Sequence, residues 1–173
     1  HEESGGEVTV PVNTVEQKHA NHFGLLAIDD DGRINEFREK PKTPEAQKGV
    51  EAPPAMLERF GITNPQSDIF LASMGVYLFN REVLHKWMME TEHIDFGKQI
   101  IPESIQKNDV RAHIFDGYWE DIGTIDAFYQ AHMDYLAPKP PFLFAHPTEP
   151  IYTRPRFLPS TRVNGGLIEQ SVV

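Results

Sequence analysis

Cysteine is absent from the chain, which removes disulfides, thiolate zinc sites and cysteine nucleophiles and fits a reducing interior. No run of roughly eighteen apolar residues occurs and no signal-peptide pattern, so the expectation is a soluble, intracellular protein without a membrane partner. Positive charge is scarce. Lys+Arg 16 stand against Asp+Glu 26, a formal net charge of -10, and that balance does not suit a surface that tracks nucleic-acid phosphates or anionic lipid. Any phosphate ligand must therefore meet a local cation. What the chain does have is 39% hydrophobic residues over 173 positions, enough for one domain with a real core and part of a second.

From Glu7, the run "EVTVPV" alternates with Val8, Val10 and Val12 on one face and reads as a strand. "FGLLAI" and "RINEF" flank Asp30-Asp31-Gly32, and Asp-Gly between two such runs predicts a hairpin. Residues Lys42 to Gln66 hold five prolines, counting Pro41 beside them, around a short helical stretch "AMLERF" and read as a mobile loop or insertion. "IFLASMGVYLF" is a nearly continuous apolar run that reads as one buried strand, with Asn80 placed to cap the helix "REVLHKWMME". Strand followed by helix predicts an α/β fold. Asp95 can cap a further helix through "FGKQIIPESIQK", which Pro102 should kink or split. "VRAHIFDGYW" alternates again, and "TIDAFYQAHMDYL" follows as a helix with Thr124 as its cap and Asp126 at its positive end. Seven prolines between Pro138 and Pro159 then exclude a regular helix and predict a linker. The tail "TRVNGGLIEQSVV" resumes a strand-like pattern. At the other end, "HEESGG" reads as the last turn of a helix closed by Gly5 and Gly6, and both ends read as cuts in a longer protein.

Several positions admit a ligand-binding and a structural reading at once. Lys40, between Glu39 and Pro41, lies where a strand ends and the residue before proline is pushed toward an extended shape. It is either a solvated charge or a fixed cation for a phosphate, with Glu39 accepting from sugar hydroxyls. Ser73 and Gly75 sit inside an apolar run, where glycine weakens a strand and often marks a close backbone approach. Asp95 opens "DFGKQ", a string shared with kinases, but no "HRD" triplet, glycine-rich loop or "VAIK" strand accompanies it. His19 and His22 form the one close histidine pair and read as a solvated turn, since further metal ligands are not in evidence. Asp121 in "DGYWEDIGT" follows a strand end and precedes a helix start, the crest of an α/β sheet where ligands bind. A carboxylate there suits Mg²⁺, or serves only as a helix-dipole partner.

Read together, "FGLLAIDDDGRINEFREKPK", "ASMGVYLF", "DFGKQIIP", "DGYWEDIGTIDAFYQAHMDYL" and "PIYTRPRFLPST" occur in the order and approximate spacing expected of ADP-glucose pyrophosphorylases, the glucose-1-phosphate adenylyltransferases. The chain resembles that family over nearly its whole length, least in the Lys42 to Gln66 stretch. The "EKP" triplet is shared with many sugar-nucleotide pyrophosphorylases, whereas "DGYWEDIGT" with "YTRPRFLP" is more specific.

The resemblance implies the C-terminal half of a Rossmann-like nucleotidyltransferase domain over residues 1–137, a proline-rich linker over 138–159, and the start of a left-handed parallel β-helix over 160–173. It implies that ATP and glucose 1-phosphate give ADP-glucose and pyrophosphate, for glycogen or starch synthesis, in an allosteric homotetramer of the bacterial cytoplasm or plastid stroma. Under it, Gly24 approaches the sugar through its backbone, Glu39 binds its hydroxyls and Lys40 holds its phosphate. Ser73, Tyr77, Asp95, Phe96 and Trp119 line the same pocket, and Asp121 is a ligand of the Mg²⁺ cofactor. The family's glycine-rich phosphate loop and its second metal-binding aspartate have no counterpart here, so this chain alone is expected to turn over no ATP. Rival expectations are a pyrophosphorylase using UTP or dTTP, and a regulatory subunit that binds sugar phosphate without catalysis.

Overall fold

The computed structural model describes residues 1–62, 68–142, 148, 151, 152, 154, 165 and 167. Two compact units divide the chain, His1–Trp119 and Glu120–Val173. In the first, strand β1 (Val8–Glu16) is the axis of a mixed sheet. Its alternation behaves as the sequence predicts: Val8, Val10 and Val12 are fully buried, each removing enough apolar surface from water to favour folding by about 1.5–3 kcal/mol. Strand β6 (Val110–Ile114) pairs with β1 in parallel, whereas β4 (Ile69–Ser73) and β5 (Leu78–Phe79) pair with it antiparallel. Beyond β4 lie β2 (Gly24–Ile28) and β3 (Ile34–Glu39), the expected hairpin.

The hairpin loop runs from Asp29 to Arg33. Gly32 supplies a left-handed φ of 78°, and the Asp29 carboxylate accepts from the backbone N–H groups of Asp31 and Arg33 at 3.0 and 2.9 Å. This loop reaches β6. The Ala112 N–H donates to the Gly32 carbonyl at 2.9 Å, and Arg33 bridges Arg111 in antiparallel fashion, so the sheet curls until its two outer strands meet at that end. The α/β expectation holds as a mixed sheet with helices, though β1 with β6 is the one parallel strand pair among the described residues.

The run "IFLASMGVYLF" is not one buried strand. Val12 faces Ser73 and Thr9 faces Leu78, so two residues of β1 oppose the four residues Met74 to Tyr77 and the strand bulges outward. Pro11 lies opposite the bulge. Its carbonyl accepts from the Met74 N–H at 3.0 Å, but proline has no N–H to return, and a proline in a central strand is accommodated at such a bulge. Gly75 turns the bulge with φ 72°. A β-carbon added there would meet nothing within 4 Å, so backbone conformation, not close approach, is what calls for glycine.

Between β3 and β4 run α1 (Pro44–Gln47) and α2 (Pro54–Arg59). Contrary to a mobile insertion, this segment contributes Val50 and Leu57, both fully buried, to the core; its last residues, 63–67, lie outside the described set. Helix α3 (Arg81–Glu90) starts after Asn80, but the Asn80 side chain does not cap it. Its Oδ1 instead pairs with His1 Nε2 at 3.1 Å. The segment around "HEESGG" is a series of turns and not a helix end, with Ser4 Oγ donating to the His1 carbonyl and accepting from the Gly6 N–H. Asp95 caps as expected, accepting from the Lys98 N–H at 2.8 Å. The following turn, Phe96–Ile100, is π-helical and passes into α4 (Ile101–Lys107). Pro102, which has no N–H for the Lys98 carbonyl, marks that change of winding.

In the second unit, Thr124 caps helix α5 (Ile125–Tyr135) by accepting from the Ala127 N–H at 3.1 Å, and Asp126 lies in the first turn. The expected linker is described mainly over 138–142, without helix or strand. The expected β-helix start lies outside the described residues apart from Gly165 and Leu167.

Candidate functional site

Four places in the first unit bring site residues together: the base of the β2–β3 hairpin, the end of β4 with its bulge, the π-helical turn, and the segment after β6. At the hairpin base Gly24 and Glu39 are cross-strand partners. A β-carbon on Gly24 would sit 2.5 Å from the Phe37 ring and 3.0 Å from Glu39 Oε2. Side chains of β3 fold over Gly24, so a β-carbon there would have to displace the Phe37 ring and the Glu39 carboxylate.

Glu39 is half-buried. Its carboxylate has no hydrogen-bond or ion-pair partner among the described residues, which leaves both oxygens able to accept. An incoming hydroxyl or N–H can donate to them.

The bulge places Ser73 and Tyr77 beside it. Ser73 is buried, its Oγ accepts from the Gly75 N–H at 3.3 Å, and it shares a side-chain hydrogen bond with Tyr77. Burial pushes the Tyr77 hydroxyl above its ordinary 10.0; the Ser73 bond acts the other way, and the negative fields of Glu39 and Asp95 push it further up. The phenol stays neutral at physiological pH and can donate. Tyr77 stacks on Phe96, and Glu39 lies against Gly97 one residue on, so both meet at the turn that Asp95 caps.

The π-helical turn supplies the opposite wall. Phe96 stacks on Tyr77 with ring centroids 5.6 Å apart and 14° between planes, and also meets Phe79 at 5.8 Å. Asp95 is held firmly: Gln99 Oε1 accepts from the Ile94 and Asp95 N–H groups at 3.0 and 3.1 Å. Just upstream, His93 stacks on Trp87 at 5.9 Å and pairs with Glu103 at 2.8 Å, so the approach to Asp95 is tied to both α3 and α4.

Lys40 departs from its expected backbone shape. Its φ is 47°, left-handed rather than extended, because its N–H closes the hairpin ladder on the Phe23 carbonyl at 3.1 Å before the chain turns into the buried Pro41. The side chain is exposed and has no ion-pair partner among the described residues. A left-handed, non-glycine lysine with an uncommitted charge is a strained position of the kind that occurs at ligand sites.

Trp119 packs on Phe23, ring centroids 5.2 Å apart, next to Gly24. Phe23 escaped the sequence reading, although an aromatic preceding "GLL" was its signal. Gly97 escaped too, hidden inside a motif read for Asp95 and Phe96. Asp121 belongs to the second unit, where its exposed carboxylate precedes α5 and lies 3.3 Å from where a β-carbon on Gly123 would sit. One exposed carboxylate suits a Mg²⁺ that keeps most of its waters, not an all-protein cage. No group of three or more His, Cys, Asp or Glu side chains that could hold a metal occurs among the described residues. His19 and His22 lie in a 3-10 turn, Gln17–His22. A cleft of about 500 Å³ beside α3, lined by Glu82, Lys86, Glu90 and Lys107, includes none of the expected site residues.

A fixed carboxylate without donors, a neutral phenol, aromatic walls and an uncommitted cation form a set suited to a polyhydroxylated, anionic small molecule. The family model for nucleotidyl transferases matches residues 1–138. The chain belongs to the nucleotidyl transferase family. Membership makes the chemistry nucleotidyl transfer and implies nucleotide and sugar-phosphate substrates. No helix among the described residues is long and apolar enough to cross a membrane.

Proposed function

We propose that this chain is the sugar-phosphate-binding half of a glucose-1-phosphate adenylyltransferase, which joins the adenylyl group of ATP to glucose 1-phosphate and releases pyrophosphate. The observation that carries the reading is the half-buried Glu39 carboxylate next to the exposed Lys40, neither with a hydrogen-bond or ion-pair partner for its charged group among the described residues. Glu39 accepts from sugar hydroxyls, Tyr77 donates to one, and Phe96, Trp119 and the Ser73 strand end shape the wall. Lys40 meets the sugar's phosphate as a point charge. That phosphate is the nucleophile, so the residues have to hold it in line with the nucleotide and need form no covalent bond to it. By the family resemblance alone, Asp121 would hold Mg²⁺, an ion that supplies charge stabilisation to phosphoryl chemistry. ADP-glucose as the product, regulation by effectors and a tetrameric assembly rest on the resemblance of "DGYWEDIGT" and "YTRPRFLP" to that family.

The test is calorimetric titration of the chain with glucose 1-phosphate, with inorganic phosphate as comparison. Lys40→Ala and Glu39→Gln should each weaken glucose 1-phosphate at least tenfold, about 1.4 kcal/mol, while only Lys40→Ala affects inorganic phosphate. Unchanged affinity in either variant sinks the reading.

A further inference from the structure

Among the described residues Glu39 has no hydrogen bond to fix its rotamer, yet a half-buried glutamate with three free torsions would lose entropy each time it met a ligand. Its position is set sterically instead. Glu39 Oε2 lies 2.7 Å from where a β-carbon on Gly97 would sit and 3.0 Å from the corresponding point on Gly24, with Glu39 Cδ 3.1 Å from the Gly97 point. The carboxylate thus occupies the volume of two missing side chains, one on β2 and one on the π-helical turn. Gly97 has no left-handed φ, so its backbone does not itself demand glycine. The crowding is with the far end of the Glu39 side chain, so a β-carbon at position 97 displaces the carboxylate and not the backbone.

We propose that Gly97 is a positioning residue for sugar-phosphate recognition: by leaving out a β-carbon it lets the Glu39 carboxylate seat against the π-helical turn, clear of the space the sugar enters. The proposal rests on the sugar-phosphate reading above. A methyl at position 97 forces Oε2 back by roughly 0.7 Å or more to regain ordinary contact distance. Glu39 has no hydrogen-bond partner among the described residues to hold it against that push, so the carboxylate leaves its seat between Gly24 and Gly97. The aromatic pair Tyr77–Phe96 and the Asp95 cap are anchored by other residues and keep their places. The effect is a misplaced acceptor.

Glucose 1-phosphate and inorganic phosphate are titrated calorimetrically into the full chain and into Gly97→Ala, Glu39→Gln and the double variant, with thermal melts of each. Gly97→Ala should weaken glucose 1-phosphate at least tenfold and leave inorganic phosphate within twofold, and in the Glu39→Gln background it should add little, because the two changes remove the same contact. Wild-type affinity in Gly97→Ala, with loss in Glu39→Gln, overturns the positioning role and spares the sugar-phosphate reading; wild-type affinity in Glu39→Gln overturns that reading itself. Should Gly97→Ala fold poorly, its melt is compared in the Glu39→Ala background. There the clash is gone and the substitution should be neutral or stabilising, whereas an equal loss of melting temperature in both backgrounds refutes the Glu39 contact.

Discussion

The rings of Tyr77 and Phe96 lie nearly parallel, 5.6 Å apart, one carried on a strand bulge and the other on a π-helical turn. Neither platform is a regular element, yet the pair joins them into one wall. Phe96→Ala should remove the stack and its contact with Phe79, lowering stability by about 1–3 kcal/mol for a partly buried ring. Glucose 1-phosphate affinity should fall alongside. Chemical denaturation and calorimetry of the same preparation measure both.

Tyr77 makes an alkaline prediction. Its hydroxyl titrates above the ordinary 10.0, mainly through burial, so the folded state holds that proton more tightly than the unfolded chain. The corresponding stability is complete below pH 10 and declines as pH rises from there through the folded value. Tyr77→Phe removes the titrating group, and its melting temperature should fall less steeply above pH 10 than that of the wild type.

Glu103 makes the opposite, acidic prediction. The Lys107 ammonium, 2.8 Å away, and the His93 ring, also at 2.8 Å, draw its carboxyl below the ordinary 4.5. The contribution is present above pH 4.5 and is lost as pH falls through the folded value. Both partners are near the surface, so the effect is small and screened by salt. Melts of Glu103→Gln should show a shallower acid decline than wild type at low ionic strength, and the difference should shrink on adding salt.

Lys40 predicts a separation of stability from binding. Its left-handed backbone costs a non-glycine residue about 1–2 kcal/mol, which glycine avoids while adding about 0.5–1 kcal/mol of unfolded-state entropy. Lys40→Gly should therefore melt at or above the wild-type temperature. It should also bind glucose 1-phosphate at least tenfold more weakly, and a drop in melting temperature would contradict the strain argument.

How much of this was legible in the sequence depends on how local the cause was. The alternation of Val8, Val10 and Val12, the hairpin around Gly32, and the caps at Asp95 and Thr124 each depend on neighbours within a few positions, and each appears where the residues put it. The break after Ser73 does not, because its counterpart is Pro11, far back in the chain and opposite only once the strands pair. Asn80 had the right chemistry for a cap, and His1 claimed it. The proline-rich segment looked like a loop because its buried residues, Val50 and Leu57, are sparse and follow no single period. Of the site, the residue types were readable but their spatial company was not. The use of Gly97 as space for Glu39 has no sequence signal, since the two meet only through the fold.

The parallel ladder between β1 and β6 joins Val8 to Val110, and Gly24, Glu39, Lys40, Ser73, Tyr77, Asp95 and Phe96 all lie in the stretch of chain between. Pairings so remote in sequence are slow to form, because a long loop must close before any contact rewards it. During synthesis the strand that seals this loop emerges after every one of those seven residues. A nascent chain can hold the hairpin while it waits, but the curled sheet that brings the pocket walls together arrives with the last strand, and recognition of a ligand is a late event in the life of the molecule.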